Sequence, residues 1–272
     1  MKIPRLHLFE LEDQEWLPRR IRDLATDYLC FLEAKLKMHR LVVPVLAEAL
    51  RESGSERIID LCSGGSGPIL PVLLDLADEG LTIRATLTDL YPNLETFYRV
   101  REASAGAVDY VREPIDARSI PPTLVGFRTF YNSYHHFKPH EARGILEDAV
   151  AANQPVGVFE LTERSYRMIA SMSLVPLMVL LATPFIRPMR WERLLWTYLV
   201  PLVPLVSFWD GLVSQLRSYT VEELRGIAHR VDAPDYVWEV GESRAPRMPG
   251  KVTYLVGYPV QQELDLPNGA AP

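Results

Sequence analysis

Cysteine is scarce in this chain: only Cys30 and Cys62 occur in 272 residues. Two thiols exclude a disulfide framework and a cysteine-rich metal centre, and so low a number is usual in a reducing compartment. The chain also lacks an excess of basic residues, because 29 lysines and arginines stand against 35 aspartates and glutamates, for a formal net charge of -6. Binding to a phosphate backbone requires a basic surface, so we do not expect a nucleic acid as partner.

Three other features are missing. The first twenty residues carry charges along their length and lack the apolar core of a signal peptide, which predicts a cytoplasmic protein. No internal repeat and no low-complexity tract occurs.

The composition is 48% hydrophobic, enough for the core of one domain with an inserted or capping unit. At the end of the chain, residues 263–272 predict a disordered tail.

Hydrophobic periodicity predicts alternating strands and helices. Apolar residues recur at helical spacing over 14–38 and about 41–52, which predicts two N-terminal helices, the second with Pro44 in its first turn. Short apolar runs then alternate with amphipathic stretches and end in a strand pair. The expected strands are 57–61, 82–88, 107–111, 124–131, 156–161, 236–240 and 252–258. This order predicts an α/β fold with a Rossmann-like, seven-stranded, mostly parallel sheet, helices on both faces and an antiparallel closing strand.

The turn after the first expected strand is rich in glycine. An apolar run ends in Asp60, and Leu-Cys-Ser-Gly-Gly-Ser-Gly-Pro follows at once; the next strand-like run ends in Asp89. Glycines let the backbone approach a ligand, and an acid at the tip of strand 2 accepts hydrogen bonds from ribose hydroxyls. This layout predicts a nucleotide pocket. The alternative is an ordinary strand-to-helix turn, with Asp89 capping the next helix.

The turn resembles motif I of the class I S-adenosylmethionine-dependent methyltransferases, whose usual form is D/E-x-G-x-G-x-G. Cys62 and Ser66 stand in place of two of the three glycines, Gly64 keeps the middle one, and Gly65 and Gly67 add freedom. The order of elements over 57–165 and 215–260 is similar to the sheet of the same family. The resemblance implies binding of S-adenosylmethionine, methyl transfer to a small molecule, and no metal.

The resemblance also implies a role for individual residues. Asp60 would order the turn, Asp89 would accept from the ribose hydroxyls, and Leu90 would lie against the adenine. Asp116 and Ala117 match the pair that binds the adenine edge, although a plain turn acid is the alternative for Asp116. The expected cofactor-binding residues are Asp60, Ser63, Gly64, Gly65, Gly67, Asp89, Leu90, Asp116, Ala117 and Asn132.

A run of aromatic and histidine residues, 131–137, follows the fourth expected strand. Ligands of doubly wound sheets lie beyond the carboxyl ends of the strands, so these side chains should lie near the transferred methyl group. Small-molecule methyltransferases of this class have a similar His-His-Phe run. His135 or His136 could take a proton from the acceptor. Alternatively, both histidines are structural and alignment of the reactants suffices; two adjacent histidines alone make a poor zinc site.

Between the fifth and sixth strands the sequence has two long runs without charge, Met168 to Ile186 and Leu194 to Trp209, around a turn with three arginines. The first run reaches the length of a membrane span. Prolines interrupt both runs, and the basic turn would have to cross the membrane, so we do not favour spanning. We expect either a hydrophobic lid over the active site, which could also form a homodimer surface, or a peripheral membrane contact through 168–209 that takes up a lipid-like substrate.

Both interpretations predict an apolar, aromatic acceptor pocket. Tyr28, Tyr134 and Trp209 are candidate pocket residues, although a core tyrosine is the alternative for Tyr28. Asp210 precedes Arg217 by about two helical turns. The two side chains could form a pair that fixes the lid, or Asp210 could orient or deprotonate the acceptor.

These expectations divide the chain into four parts. They are an N-terminal helical cap (1–55), the cofactor domain (56–165 and 215–262), the hydrophobic helical insertion (166–214) and the tail (263–272). The expected function is S-adenosylmethionine-dependent methyl transfer to a small, largely apolar acceptor, with oxygen favoured and carbon or nitrogen open. Aminopropyl transfer would need an acid cluster for a polyamine. Outside enzymes, the alternative is a non-catalytic cofactor-binding scaffold or membrane-associated partner protein with a degenerate site, which the substitutions at Cys62 and Ser66 support.

Overall fold

A computed structural model describes residues 3–244 and 250–260. Seven strands cross it: β1 (Arg57–Leu61), β2 (Arg84–Leu87), β3 (Val108–Tyr110), β4 (Phe127–Tyr131), β5 (Val156–Glu160), β6 (Tyr236–Ser243) and β7 (Val252–Pro259). They form one sheet in the order β3-β2-β1-β4-β5-β7-β6. The first five strands are parallel, and β7 runs antiparallel to both β5 and β6. The predicted fold class is confirmed. The predicted tail, 263–272, lies outside the described residues.

Helices cover the sheet and build the insertion. They are α1 (Arg19–Leu36), α2 (His39–Ser53), α3 (Ile69–Asp78), α4 (Leu94–Ala103), α5 (Pro139–Ala151), α6 (Tyr166–Ser171), α7 (Val175–Ala182), α8 (Trp191–Leu194), α9 (Leu202–Arg217) and α10 (Val221–Ala228). Short 3-10 turns occupy Tyr134–His136, Met172–Leu174 and Thr183–Phe185, and a π-helical turn occupies Leu195–Leu199.

The central strands are buried on both faces. In β1, Ile58 belongs to the core under α2 and α3, whereas Ile59 belongs to the core under α5 and α10. This alternation follows from the two-residue period of a strand, and helices on both faces explain why both Ile58 and Ile59 are apolar and buried. The register places Asp60 opposite Leu87 of β2 and Thr129 of β4. The polar end of β1 therefore meets the ends of its neighbours at one edge of the sheet.

The insertion between β5 and β6 packs on α1. Ile21, Leu24 and Tyr28 of α1 share a third core with Val179 of α7 and Val206 of α9. An apolar face of α1 and the inner faces of α7 and α9 thus bury one another. The outer faces of the insertion take no part in this core.

Several predicted boundaries move, each for a local reason. The first helix begins at Arg19 rather than at 14, after Pro18, and residues 3–18 run separately as what we call the N-terminal segment. The helix α2 begins at His39, so Pro44 lies inside it rather than in its first turn. The helix α4 begins at Leu94 because the Asn93 side chain accepts from the Thr96 N–H and caps it.

Candidate cofactor and acceptor site

The turn after β1 is organised by a buried carboxylate. Asp60 is 1% exposed and accepts hydrogen bonds from Ser63 Oγ at 2.7 Å and Thr129 Oγ1 at 3.1 Å. Burial raises the pKa of Asp60 to about 7, and these two hydrogen bonds oppose the rise. The backbone N–H of Ser63 also donates to the Thr88 carbonyl at 2.9 Å. The carboxylate and this backbone bond join the turn to the ends of β2 and β4.

The turn keeps the backbone of a glycine motif where two glycines are absent. Cys62 has φ 56°, Gly64 has φ 49° and Ser66 has φ 78°. All three lie in the left-handed region, which glycine adopts readily and other residues adopt at a cost. They are the three positions at which the usual motif has glycine. Two residues with a Cβ, Cys62 and Ser66, therefore hold a conformation that glycine adopts more readily.

The helix α1 lies directly on this turn. A Cβ on Gly65 would come within 2.8 Å of Cys30 Sγ and 2.9 Å of Thr26 Cγ2. Cys30 Sγ lies 3.3 Å from the Gly65 carbonyl oxygen, as a weak donor. Glycine is therefore required at position 65 because the backbone of the turn lies so close to α1. At Gly67, by contrast, a Cβ would meet nothing within 4 Å, so this end of the turn is open.

Asp89 and the turn face each other across the ends of β1 and β2. One carboxylate oxygen accepts from the Gly64 N–H at 2.7 Å and the other from the Tyr91 N–H at 2.7 Å. An ionised carboxylate has about four acceptor positions. Two of them remain for a ligand, and the two N–H groups hold the carboxylate in orientation. Asn93, and not Asp89, caps the N-terminus of α4.

The expected adenine side lies next to Asp89. The Ile115 N–H donates to the Asp89 carbonyl at 2.9 Å, which brings the loop after β3 beside the end of β2. Leu90 is exposed and Ala117 is buried. Both oxygens of Asp116 are bound by the Arg118 guanidinium, with a shortest distance of 2.7 Å, and this hydrogen bonding lowers the pKa of Asp116. An adenine amine would share Asp116 with Arg118.

Asn132 ties the ends of β4 and β5 together. Its N–H donates to the Phe159 carbonyl at 2.8 Å, and its side-chain oxygen accepts from the Leu161 N–H at 3.2 Å. Its φ of 53° is left-handed, a conformation that asparagine tolerates better than most residues. Asn132 therefore shapes the edge of the sheet between the turn and the histidines.

His135 is completely buried and paired with an acid that the sequence analysis did not identify. Its Nδ1 lies 2.6 Å from Glu160 Oε2, and Glu160 also accepts from Thr162 Oγ1 at 3.1 Å. Burial alone would raise the pKa of Glu160, but the charge and hydrogen bond of His135 outweigh it and lower the pKa. His135 Nε2 has no hydrogen-bond partner within the described residues and faces Glu10 Oε1 at 3.8 Å. Glu160 is an acid at the end of a predicted strand, and this position in the sequence could have indicated its role.

His136 has different surroundings. Its Nδ1 lies 2.8 Å from Asp13 Oδ1 and 3.1 Å from Glu10 Oε2, both in the N-terminal segment. Burial favours the neutral ring, but the two carboxylates outweigh burial and raise the pKa of His136 to about 10. At neutral pH His136 is therefore a cation. Glu10, His135 and His136 have ligand atoms within 4.8 Å of one another and could hold a metal ion, but Arg217 Nη1 already lies 3.5 Å from Glu10.

The N-terminal segment is clamped by α9. Asp210 accepts from the Leu11 N–H at 2.6 Å and the Glu12 N–H at 3.0 Å. Arg217 binds Asp13 at 2.7 Å and donates to the Leu8 carbonyl at 2.6 Å. The expected pairing of Asp210 with Arg217 is thus replaced by two separate contacts to this segment. Sequence patterns gave no sign of this, because the partners lie about two hundred positions apart.

A cavity of about 510 Å³ lies between the N-terminal segment, α1 and α9. Its lining is apolar and consists of Leu11, Trp16, Leu17, Pro18, Ile21, Leu202, Leu205, Val206, Phe208 and Trp209. Trp209 stacks obliquely on Phe9, with ring centroids 5.5 Å apart, and its Nε1 donates to the Phe9 carbonyl at 3.0 Å. Asp210 follows Trp209 directly and accepts from the N–H of Leu11, a lining residue, so the cavity lies next to the contact between α9 and the N-terminal segment.

The two candidate pocket tyrosines lie elsewhere. Tyr28 is buried in the core between α1 and the insertion, and its hydroxyl lacks a partner within the described residues. Tyr134 is fully buried among Phe130 and Phe137, and its hydroxyl donates to the Ala142 carbonyl at 2.6 Å. Tyr134 therefore acts as a core residue on the α5 side, and we leave it out of the acceptor pocket.

Comparison with solved structures finds matches to the fold at low sequence identity. The solved structure of LaPhzM has a TM-score of 0.50 and 14% identity, over 84% of this chain and 57% of that one. An O-methyltransferase family protein from Burkholderia thailandensis gives 0.45 and 15%, over 85% and 59%. The neocarzinostatin-biosynthesis O-methyltransferase, solved with S-adenosylmethionine and 2-hydroxy-5-methyl naphthoic acid, gives 0.45 and 14%, over 79% and 52%.

The chain thus spans little more than half the length of these structures, and at these identities the likeness concerns the fold. No protein-family model and no curated protein matches the chain. The strand order, the antiparallel β7 and the turn after β1 define the fold of the class I S-adenosylmethionine-dependent methyltransferases.

Proposed function

We propose that the chain is an S-adenosylmethionine-dependent methyltransferase that acts on a small, largely apolar acceptor, with oxygen as the favoured accepting atom. One observation carries the proposal: the three motif positions Cys62, Gly64 and Ser66 are all left-handed, and the Gly64 N–H is bonded to Asp89. A protein that had lost the site would have no need to keep a strained backbone at two non-glycine residues.

The residues of the turn fit the cofactor. When bound, S-adenosylmethionine supplies an electrophilic methyl group on a sulfonium centre. The open side of the turn at Gly67 would face its methionine part, and the two free acceptor positions of Asp89 would bind the ribose hydroxyls. Leu90 would cover one face of the adenine, and Asp116 with Ala117 would meet its edge. Asp60 and Asn132 would act indirectly, by fixing the turn and the end of β4.

His135 is the better candidate for a general base. In the tautomer that donates its Nδ1–H to Glu160, a neutral His135 would present the Nε2 lone pair to the acceptor. An acceptor hydroxyl would pass its proton to Nε2 while its oxygen takes the methyl group, leaving the methyl ether and S-adenosylhomocysteine. His136 is already protonated at neutral pH, so its part would be to hold Glu10 and Asp13 in place. Asp210 would likewise hold the N-terminal segment and leave the acceptor untouched.

The apolar cavity is the proposed acceptor pocket. Its volume of about 510 Å³ lies in the usual range for small-molecule sites, and its lining is aliphatic and aromatic. Trp209 forms part of the wall of the cavity. The next residue, Asp210, accepts a hydrogen bond from Leu11, which follows Glu10 in the N-terminal segment. An acceptor with an apolar body would lie in the cavity and direct a polar end towards His135. The insertion, which supplies one wall, would act as the lid.

Calorimetric titration with S-adenosylmethionine and S-adenosylhomocysteine tests the proposal. We expect binding in the micromolar range, lost in Asp89→Ala and kept in Asp109→Ala, an exposed acid on the neighbouring strand. The thermal transition of each variant controls for folding. A folded wild-type protein that binds neither compound would overturn the proposal and favour the non-catalytic scaffold. If binding is found, a panel of apolar phenols, acids and lipids is screened for methyl acceptance.

A further inference from the structure

The outer face of the insertion is apolar and exposed. We call this the apolar face and define it by six side chains: Leu174, Leu177, Leu181, Phe185, Leu199 and Leu205. Each is more than half exposed, and Leu199 reaches 76%. Single exposed leucines are normal on a protein surface, but a contiguous apolar patch marks an interaction site.

The residues of the apolar face belong to one continuous surface. On the inner side, Val179 of α7 packs in the same core as Val203 and Val206 of α9. Tyr198 Oη donates to the Leu180 carbonyl at 2.6 Å, which joins the turn 195–199 to α7. Their outer side chains therefore lie side by side.

The helical stretch that carries four of these six side chains is mostly exposed. Tyr166–Phe185 is 20 residues long with a mean hydropathy of 1.9, yet only 11% of its most apolar window is buried. The second stretch, Trp191–Leu199 followed by Leu202–Arg217, bends by 73° at the break. A core helix of this hydropathy would be mostly buried. Within the described residues, these apolar side chains are therefore left uncovered.

The turn between the two stretches is fixed to the body of the protein. Three ion pairs hold the turn and the start of the second stretch. They join Arg190 to Glu95 of α4, Glu192 to Arg20 of α1, and Arg193 to Asp27 of α1. A hairpin that crossed a bilayer would have to carry this turn to the other side. Because the turn and both ends of the insertion are attached to the same domain, the insertion can only lie along a surface.

The charged residues around the apolar face indicate what kind of surface it contacts. The chain as a whole is acidic, but the charged residues of 166–209 are four arginines and one glutamate. Because Arg190 and Arg193 are paired with Glu95 and Asp27, the arginines that could meet a headgroup are the other two. Arg167 and Arg187 are exposed at opposite ends of the first stretch, and Trp191, at 70% exposure, lies beyond the turn. Basic and aromatic residues around an apolar patch suit the headgroup region of an anionic leaflet.

We propose that the apolar face docks on the surface of an anionic lipid leaflet, as a monotopic contact in which the leucines enter the acyl boundary and the arginines meet the headgroups. The contact is independent of the proposed function, since it needs neither cofactor nor turnover. Leu205 belongs both to the apolar face and to the lining of the cavity, so the cavity lies next to this face. A lipid-like acceptor could therefore pass from the leaflet into the cavity.

Co-sedimentation with vesicles tests the contact without any cofactor. We expect the wild-type protein to pellet with phosphatidylcholine vesicles that contain phosphatidylglycerol, and less with phosphatidylcholine alone. Leu177→Glu/Leu181→Glu should reduce the partition coefficient by about tenfold or more, because two leucines no longer enter the acyl region. Leu74→Glu, on the exposed side of α3, is the matched control and should pellet as the wild type does.

Two outcomes would overturn the proposal. One is a wild-type protein that stays in the supernatant with both vesicle compositions. The other is a dimer in light scattering that becomes a monomer in Leu177→Glu/Leu181→Glu, without vesicle binding, which would assign the face to a second copy of the chain. Circular dichroism shows whether each variant is folded, and Arg187→Gln, which keeps the leucines, should weaken binding to anionic vesicles alone.

Discussion

Single residues in the turn after β1 carry a conformational cost. Ser66 has φ 78°, and the left-handed region costs about 1–2 kcal/mol for a residue with a Cβ. Glycine removes this cost but loses more entropy on folding, about 0.5–1 kcal/mol. We expect Ser66→Gly to raise the free energy of unfolding by roughly 0.5–1 kcal/mol in urea titrations. Ser119→Gly, at a residue outside the left-handed region, should give no gain; equal gains would contradict the explanation.

The two adjacent histidines should differ in their effect on catalysis. His135→Gln removes the proposed base and should lower the single-turnover rate by about 100- to 10,000-fold, while cofactor affinity stays constant. Glu160→Gln should give a smaller loss and shift the pH profile, because it acts through His135. The exposed His140 supplies the control as His140→Gln. Full activity of His135→Gln with an acceptor from the panel would remove the base from the mechanism.

The stability contributed by His136 should depend on pH. Its folded-state pKa is raised to about 10, above the ordinary value of 6.5, by Glu10 and Asp13 acting against burial. A raised pKa means that the stabilisation is fully present below pH 6.5 and declines as the pH rises towards 10. The difference in unfolding free energy between wild type and His136→Gln should therefore shrink from pH 7 to 10. A difference that stays constant over this pH range would argue against the ion pairs.

At the scale of elements, the N-terminal segment depends on α9. Arg217 is 3% exposed and faces Glu10, which is 1% exposed. Arg217→Met would leave the buried Glu10 with His136 as its remaining cation and would break the pair with Asp13, and breaking a buried ion pair typically costs about 3–5 kcal/mol. We expect that loss in urea unfolding, together with faster amide exchange in residues 3–18. Arg101→Met, which breaks an exposed pair with Asp109, should cost about 1 kcal/mol or less.

The elements were largely predictable, and the reasons are local. Strand β1 matches its predicted bounds because an apolar run, a terminal acid and a glycine turn all lie within ten residues. The Thr220–Glu223 capping box on α10 is confirmed for the same reason. The role of the N-terminal segment was not predictable, since Glu10 and Asp13 look like ordinary surface acids until Arg217 is folded beside them. The insertion was recognised from its lack of charge, but only the structure shows that it packs on α1.

At the scale of the whole molecule, α1 links the cofactor turn to the insertion. Thr26 and Cys30 contact Gly65, and other faces of the same helix pack on α7 and α9. A ligand bound at the turn should therefore stabilise both units. At a concentration 100 times its dissociation constant, S-adenosylhomocysteine should add about 2.7 kcal/mol and raise the melting temperature. Hydrogen exchange should slow in α1 and the insertion as well as in the turn; protection confined to the turn would show that the units are uncoupled.

The clamp on the N-terminal segment has a consequence for the order of folding. Leu11 and Asp210 are 199 positions apart, and Leu8 and Arg217 are 209 apart. Contacts between such distant positions form late, because closing a long loop loses entropy before any contact stabilises it. Residues 3–18 therefore lack their contacts to Asp210 and Arg217 until α9 is in place, while the central sheet requires no contribution from them. During refolding, secondary structure should recover before the environment of Trp209, and the acid and histidine cluster should be the last part of the protein to assemble.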